Sequence, residues 1–258
     1  MKRKEIVYYQ DLLADEFVTP PKKLKSIVGN YKYINDSFFH RLGVFIAYRL
    51  IATPIAFIYT KLVRRIKFVG KDKLKPFKKK GYFIYANHTH AQADAFTPNI
   101  IVFPQRNYTV VNASNVSLPL LGRKTELLGA LPLPEDLSST RNFLKALATR
   151  YNQGSSILIY PEAHLWPYYN KIRPFTDQSF KYPAKLDAPV FTFTTTYQTG
   201  HRQKMRTIIY IDGPFIAPHD LSTWEKQTYL HEKALLAMRE RAEKSDYEKI
   251  IYLRKEKL

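Results

Sequence analysis

The chain has 258 residues, 45% of them hydrophobic and 24% charged, the balance of one folded domain with at most a small appendage. It has no cysteine, which excludes a disulfide scaffold, a thiolate zinc site, an iron–sulfur cluster and a cysteine nucleophile. Lys and Arg number 41 against 22 Asp and Glu, a net charge of +19, and such a field attracts polyanions: anionic headgroups, phosphorylated small molecules or nucleic acid.

Residues 1–11 are charged and polar with no apolar run directly behind them, so no ordinary signal peptide is expected. Residues 1–37 read as an arm, because Pro20-Pro21 followed by Lys22, Lys23 and Lys25 breaks any helix and is basic. The most apolar stretch follows at residues 42–63, LGVFIAYRLIATPIAFIYTKLV, interrupted by Arg49 and Pro54 and flanked by Arg41, Lys61, Arg64, Arg65 and Lys67. That pattern predicts two short helices lying in or dipping into a bilayer surface, with their arginines reaching lipid phosphates. A true membrane span and a helix pair packed on the domain's own core, its basic residues merely solvated, are the alternatives. On this reading residues 1–64 form a basic arm with membrane-association helices, and residues 65–258 form the main domain with a C-terminal amphipathic helix.

From Lys67 onward short apolar runs alternate with helical periods. Residues 82–85, 108–111, 157–160, 190–194 and 207–211 read as buried strands. A helix starts near Ser139, with Phe143, Leu144, Leu147 and Tyr151 on one face and Gly154 as its stop. Ser222-x-x-Glu225 is a capping box that opens a basic amphipathic helix running through Met238, with a longer reading that carries it to residue 258. The expected fold is α/β: a mixed, largely parallel β-sheet covered by helices, with an N-terminal apolar helical element. No Gly-rich phosphate loop of either common kind occurs, and no recognised nucleic-acid motif is present.

Two segments follow directly on strands, where α/β sheets put their sites. In the first, Asn87-His88-Thr89-His90-Ala91-Gln92-Ala93-Asp94, two histidines and a carboxylate lie within seven residues. A histidine can take a proton from a hydroxyl while an aspartate fixes its tautomer. His90 and Asp94 share a helix face at a spacing of four, and a turn could instead bring His88 to Asp94. A metal site built from His88, His90, Asp94 and His164 is the competing reading. In the second segment, Tyr160-Pro161-Glu162-Ala163-His164, the loop presents Glu162, and Lys171 and Arg173 follow it, suited to a phosphate or to pairing with Glu162.

Together these segments resemble the glycerolipid (lysophospholipid) acyltransferase family, which carries NHxxxxD, a GxxPxxR-like block, FPEG[TS]R and an apolar VPIxPV segment in that order. Here the counterparts are residues 87–94, residues 129–134, Tyr160-Pro161-Glu162-Ala163 and Ala188-Pro189-Val190-Phe191, with Val69-Gly70, Leu74 and Gly81 upstream. The resemblance covers roughly residues 65–215. Three departures stand out. Five residues, not four, separate His88 from Asp94; Glu135 and Asp136 follow Pro134 where an arginine is usual; and Ala163, His164 and Leu165 stand where the family has Gly, Thr or Ser, and Arg.

The resemblance implies acyl transfer from acyl-CoA or acyl-carrier protein to a hydroxyl, by default that of 1-acylglycerol-3-phosphate. His88 would be the base, since the family's base follows the Asn directly, with His90 the alternative, and Asp94 would orient it. Asn87, Thr89, Pro161, Glu162, His164, Lys171 and Arg173 would line the acceptor. No cofactor and no metal are implied. The expected partners are a phospholipid membrane surface, a lysolipid acceptor and the acyl donor, with no nucleic acid, and the expected location is the cytoplasmic face of a membrane. A metal-dependent hydrolase and a non-enzymatic basic membrane-binding protein are the readings of other classes.

Overall fold

A computed structural model describes residues 4–17, 26–29, 31–90, 92–117, 122 and 124–255. The Pro20-Pro21 pair with its lysines lies outside the described residues, as does Ala91. Nine strands occur among those described: β1 (Glu5–Tyr9), β2 (Lys67–Val69), β3 (Tyr82–Ala86), β4 (Asn107–Val111), β5 (Ala130–Pro132), β6 (Ser156–Ile159), β7 (Val190–Thr199), β8 (Met205–Phe215) and β9 (Ile250–Arg254). The long helices are α1 (Phe38–Val63), α2 (Ala93–Val102), α3 (Leu137–Asn152) and α4 (Thr223–Ala242).

Seven strands form one sheet in the order β2-β8-β7-β3-β6-β4-β5. From β7 to β5 every pairing is parallel, while β8 runs antiparallel to β7 and carries β2 parallel to itself. This is the mixed, largely parallel sheet that the sequence predicts. β3 sits at the centre with all five residues buried, which is why it reads as an unbroken apolar run. Its alternation feeds two cores. Phe83 and Tyr85 face α3 and α4 through Phe143, Leu147, Leu230, Ala234 and Met238. Tyr82, Ile84 and Ala86 face the opposite layer, with Ile101 and Val102 of α2 and Phe191, Phe193 and Ile211. The two glycines before β3 are sterically required: a Cβ on Gly81 would stand 2.2 Å from the Tyr151 carbonyl oxygen, and Gly70 (φ 84°) would meet the Ile211 carbonyl at 2.5 Å.

Three expectations change. The apolar segment is one continuous 26-residue helix and not a pair. Wider i→i+5 turns occupy residues 45–52 and 58–63 on either side of the Pro54 turn, and the Thr53 amide and hydroxyl both reach the Tyr48 carbonyl. The chain thereby absorbs a proline that would break a regular helix. The arm is also not free. β1 pairs in parallel with β9, Ile27 is buried against Ala113 and Val116, and so the N-terminal segment folds back onto the domain. Finally, α4 stops at Ala242, and the chain returns through β9 instead of continuing as helix. The buried face of α4, Lys226, Leu230, Ala234, Met238 and Ala242, recurs every four residues.

Candidate active site

The C-terminal ends of β3 and β6 lie side by side, and the two motif loops leave from them. Asn87 is buried, and its side chain acts as one more peptide of β3: Nδ2 donates to the Thr195 carbonyl at 3.0 Å, and Oδ1 accepts from the Thr195 amide at 2.8 Å. The next residue, His88, is thereby fixed at the sheet edge. Its amide donates to Glu162 Oε2 at 3.2 Å and its carbonyl accepts from the Trp166 amide at 3.1 Å. Its ring stacks on Tyr160, with centroids 4.3 Å apart.

His88 Nδ1 lies 2.8 Å from Asp94 Oδ2, and the histidine side chain is 24% exposed. Asp94 sits in the first turn of α2, where its amide donates to the His90 carbonyl and its Oδ2 also accepts from the His90 amide at 3.0 Å. The His88–Asp94 contact thus forms despite the extra residue in the spacing. With Nδ1–H donating to a carboxylate, the neutral imidazole has its lone pair at Nε2, and no described residue hydrogen-bonds that atom. A partly open Nε2 backed by Asp94 is a geometry that accepts a proton.

His90 differs. It is buried, and its Nε2 lies 2.9 Å from Arg64 Nη2, which also donates to Tyr168 Oη at 3.1 Å. Burial pushes its pKa below the usual histidine value, with Asp94 opposing and Arg64 adding to the shift. The four-residue metal reading finds no assembled ligand set: His90 faces a guanidinium, His164 Nδ1 stands 3.9 Å from Glu16 Oε2, and no group of three or more His, Asp or Glu suited to a metal occurs among the described residues.

Glu162 and Arg173, expected at the acceptor, are enclosed and face each other. Their side chains are 2% and 0% exposed, with Arg173 Nη2 3.3 Å from Glu162 Oε2. Glu162 also accepts the Arg173 amide at 3.0 Å, and the guanidinium reaches the carbonyls of His164 and Leu12 and the ring of Trp166. Burial pushes the Glu162 carboxyl up, and Arg173 beside it opposes that shift. The pair is internal scaffolding that ties His88 to the β6 loop. Thr89 is likewise buried, its hydroxyl donating to the Tyr169 carbonyl at 3.0 Å and its carbonyl accepting from Tyr197. Pro161 is half-buried in the loop, and Lys171 is exposed beside a separate small cleft with Arg239 and Glu248.

The structure adds residues that the sequence did not single out for the site. Arg64, at the end of α1, enters it through His90 and Tyr168. Lys249 Nζ stands 3.5 Å over the Tyr168 ring. Burial alone would push the Tyr168 phenol up, but the positive charges of Lys249 and Arg64 beside it bring it below the usual tyrosine value. Basicity without periodicity carries no signal of such a role, and Arg64 reads equally well as a lipid-facing flank.

A family model described as Acyltransferase matches residues 65–196. Among solved structures, the fold is similar to the crystal structure of the 1-acyl-sn-glycerophosphate (LPA) acyltransferase, PlsC, from Thermotoga maritima, at 17% identity over 68% of this chain and 71% of that chain, with a TM-score of 0.47. No curated protein matches.

Proposed function

Because the chain belongs to the acyltransferase family, we propose that it moves a fatty acyl group from an acyl thioester to a hydroxyl of a glycerolipid at a membrane surface, with His88 as general base. The observation that carries the reading is the 2.8 Å contact of His88 Nδ1 with Asp94 Oδ2, which leaves Nε2 open. The acceptor O–H gives its proton to Nε2 as its oxygen attacks the thioester carbonyl. The tetrahedral intermediate collapses, the C–S bond breaks, and the imidazolium returns the proton to the departing thiolate. Asp94 holds the tautomer and stabilises the imidazolium. His90 is the weaker base, being buried and faced by Arg64.

Membrane approach is supported by α1, a 26-residue helix of which 11% is buried in its most apolar window. Phe38, Phe39, Phe45, Leu50, Ile55 and Leu62 are all more than half exposed. At 1.5 Å per residue it is about 39 Å long. It lies along α2 through Tyr48, whose hydroxyl donates to Asn99 Oδ1 at 2.9 Å, and presents its other faces outward. An acceptor phosphate has Arg64 and Lys249 available, in place of the Arg173 that is spent internally.

Acyl transfer from labelled acyl-CoA and acyl-carrier protein to 1-acylglycerol-3-phosphate in detergent micelles tests the reading, run with and without chelator. His88→Ala is expected to lose about 100-fold or more of the rate with the fold intact, and His90→Ala to retain more. Full transfer by His88→Ala would remove His88 from the mechanism. Activity that collapses with chelator would favour the metal reading, and no transfer from either donor would exclude this acceptor.

A further inference from the structure

At the β5 edge of the sheet, where β4 and β5 meet the first turns of α1, lies a cleft of about 1080 Å³. Lys32, Arg41, Arg106, Lys124 and Arg150 line it against Asp36 and Glu126, and the Glu126 carboxylate already accepts the Tyr31 hydroxyl. Arg106 and Arg150 both lie over one ring: their Cζ atoms stand 4.7 and 4.9 Å from the centroid of Tyr108. Each has a single described hydrogen bond, Arg106 to the Leu127 carbonyl and Arg150 to Gln153 Oε1. The Nε atoms of both are buried without a hydrogen-bond partner. Two guanidiniums held by an aromatic face instead of by carboxylates retain their appetite for an anion, and a guanidinium fork matches phosphate oxygens.

The position of the cleft selects the source of that phosphate. His40, Arg41 and Val44 of α1 form its wall, while Phe38 and Phe39 of the same turn are 73% and 82% exposed. A helix lying in a bilayer surface by its phenylalanines would bring this opening to headgroup depth. We propose that the cleft is a second anion site, apart from the His88 site, that holds the phosphate of an anionic membrane lipid and orients the protein on the surface. The proposal rests on the membrane-surface reading of α1.

Co-sedimentation of the full chain with neutral phosphatidylcholine vesicles and with vesicles containing phosphatidylglycerol separates the two. Binding to neutral vesicles reports α1, and its loss in Phe38→Ser with Phe39→Ser tests that reading alone. The increment from phosphatidylglycerol reports the cleft. Arg41→Gln with Arg150→Gln is expected to cut that increment about 30-fold, at roughly 1 kcal/mol per basic residue near an anionic surface. Neutral binding and acyl transfer in micelles should stay unchanged. Lys32→Gln with Lys124→Gln repeats the test if the arginine variant misfolds. Lys181→Gln with Lys185→Gln, a matched charge loss outside the cleft, is expected to change the increment less than threefold. An increment that survives both cleft variants, or that falls equally in the control, overturns the proposal. So does a cleft-dependent thermal shift with inorganic phosphate or glycerol 3-phosphate in a protein that shows no phosphatidylglycerol increment, which would make the ligand a soluble one. Wild-type protein that binds neither vesicle ends the α1 reading and this one together.

Discussion

Asp94 and Glu162 carry the same carboxylate and serve the site in different ways. Asp94 points at an imidazole with an open face, whereas Glu162 is enclosed and takes the His88 amide, the Arg173 amide and the Arg173 guanidinium. Arg173→Met should therefore strand a buried charge and cost about 3–5 kcal/mol, and Glu162→Gln should cost a similar amount, because it leaves the Arg173 guanidinium without its carboxylate and sets an amide NH2 among three N–H donors. Urea unfolding at neutral pH reads both costs, and an Arg173→Met variant as stable as wild type would return Arg173 to the substrate side. His90 gives a pH signature of known sign. Its folded pKa lies below its ordinary value of 6.5, chiefly through burial, so the unfolded chain takes up its proton first. Its stabilising effect is complete above pH 6.5 and falls as pH drops from there toward the folded value. His90→Gln should flatten the loss of stability between pH 7.5 and 5.5, and an unchanged slope would assign the acid sensitivity to other groups. The histidines and carboxylates of this site were legible in the sequence because each follows a strand. The inward turn of Arg173 and the reach of Arg64 were not, since side chains on irregular loops leave no periodic trace.

Tyr48 shows how the apolar helix is held. Its hydroxyl donates to Asn99 Oδ1 on α2 and accepts the Asn107 amide at the start of β4. Beside it, Arg49 donates to the Pro104 carbonyl. Tyr48→Phe leaves the buried Asn107 amide unpaired and should cost about 1–3 kcal/mol, read as a lower urea midpoint with unchanged slope. A change near zero would mean that apolar contact alone seats α1. Strain sits at a second element, the β6 loop, where Ala163 adopts φ 61°. The family pattern has glycine there. Ala163→Gly should be neutral or stabilising by up to about 1 kcal/mol, the steric relief being partly offset by a freer unfolded chain. A clear loss of stability would show that the methyl group is needed. The central strands and α3 were readable because burial on both faces, or on one stripe, writes itself into local composition. β1 and β9 were not: each is five residues long, and they pair across almost the whole chain, a contact that no local period encodes.

The paired strands β1 and β9 lie behind the site. Tyr9 of β1, Phe17 of the segment after it and Tyr252 of β9 surround Trp166, with ring centroids 5.1, 4.9 and 5.1 Å away. Trp166 Nε1 donates to the Asp15 carbonyl at 2.9 Å. The same residue holds the His88 carbonyl through its amide, so the clasp is one residue removed from the proposed base. This arrangement predicts coupling between the N-terminal arm and catalysis. Trp224 is 70% exposed and Trp166 is fully buried, so in a Trp224→Phe background the emission comes from the buried ring alone. Adding Phe17→Ala should redden that emission, raise its quenching by acrylamide and lower acyl transfer. Because Phe17 is half-buried, its cost should fall short of the roughly 3–5 kcal/mol of a fully enclosed phenylalanine, leaving the fold intact for the comparison. Lower activity with unchanged emission would break the link through Trp166. Redder emission at full activity would mean that the arm packs behind the site without governing it. Both changes together are what a clasp on the His88 backbone requires.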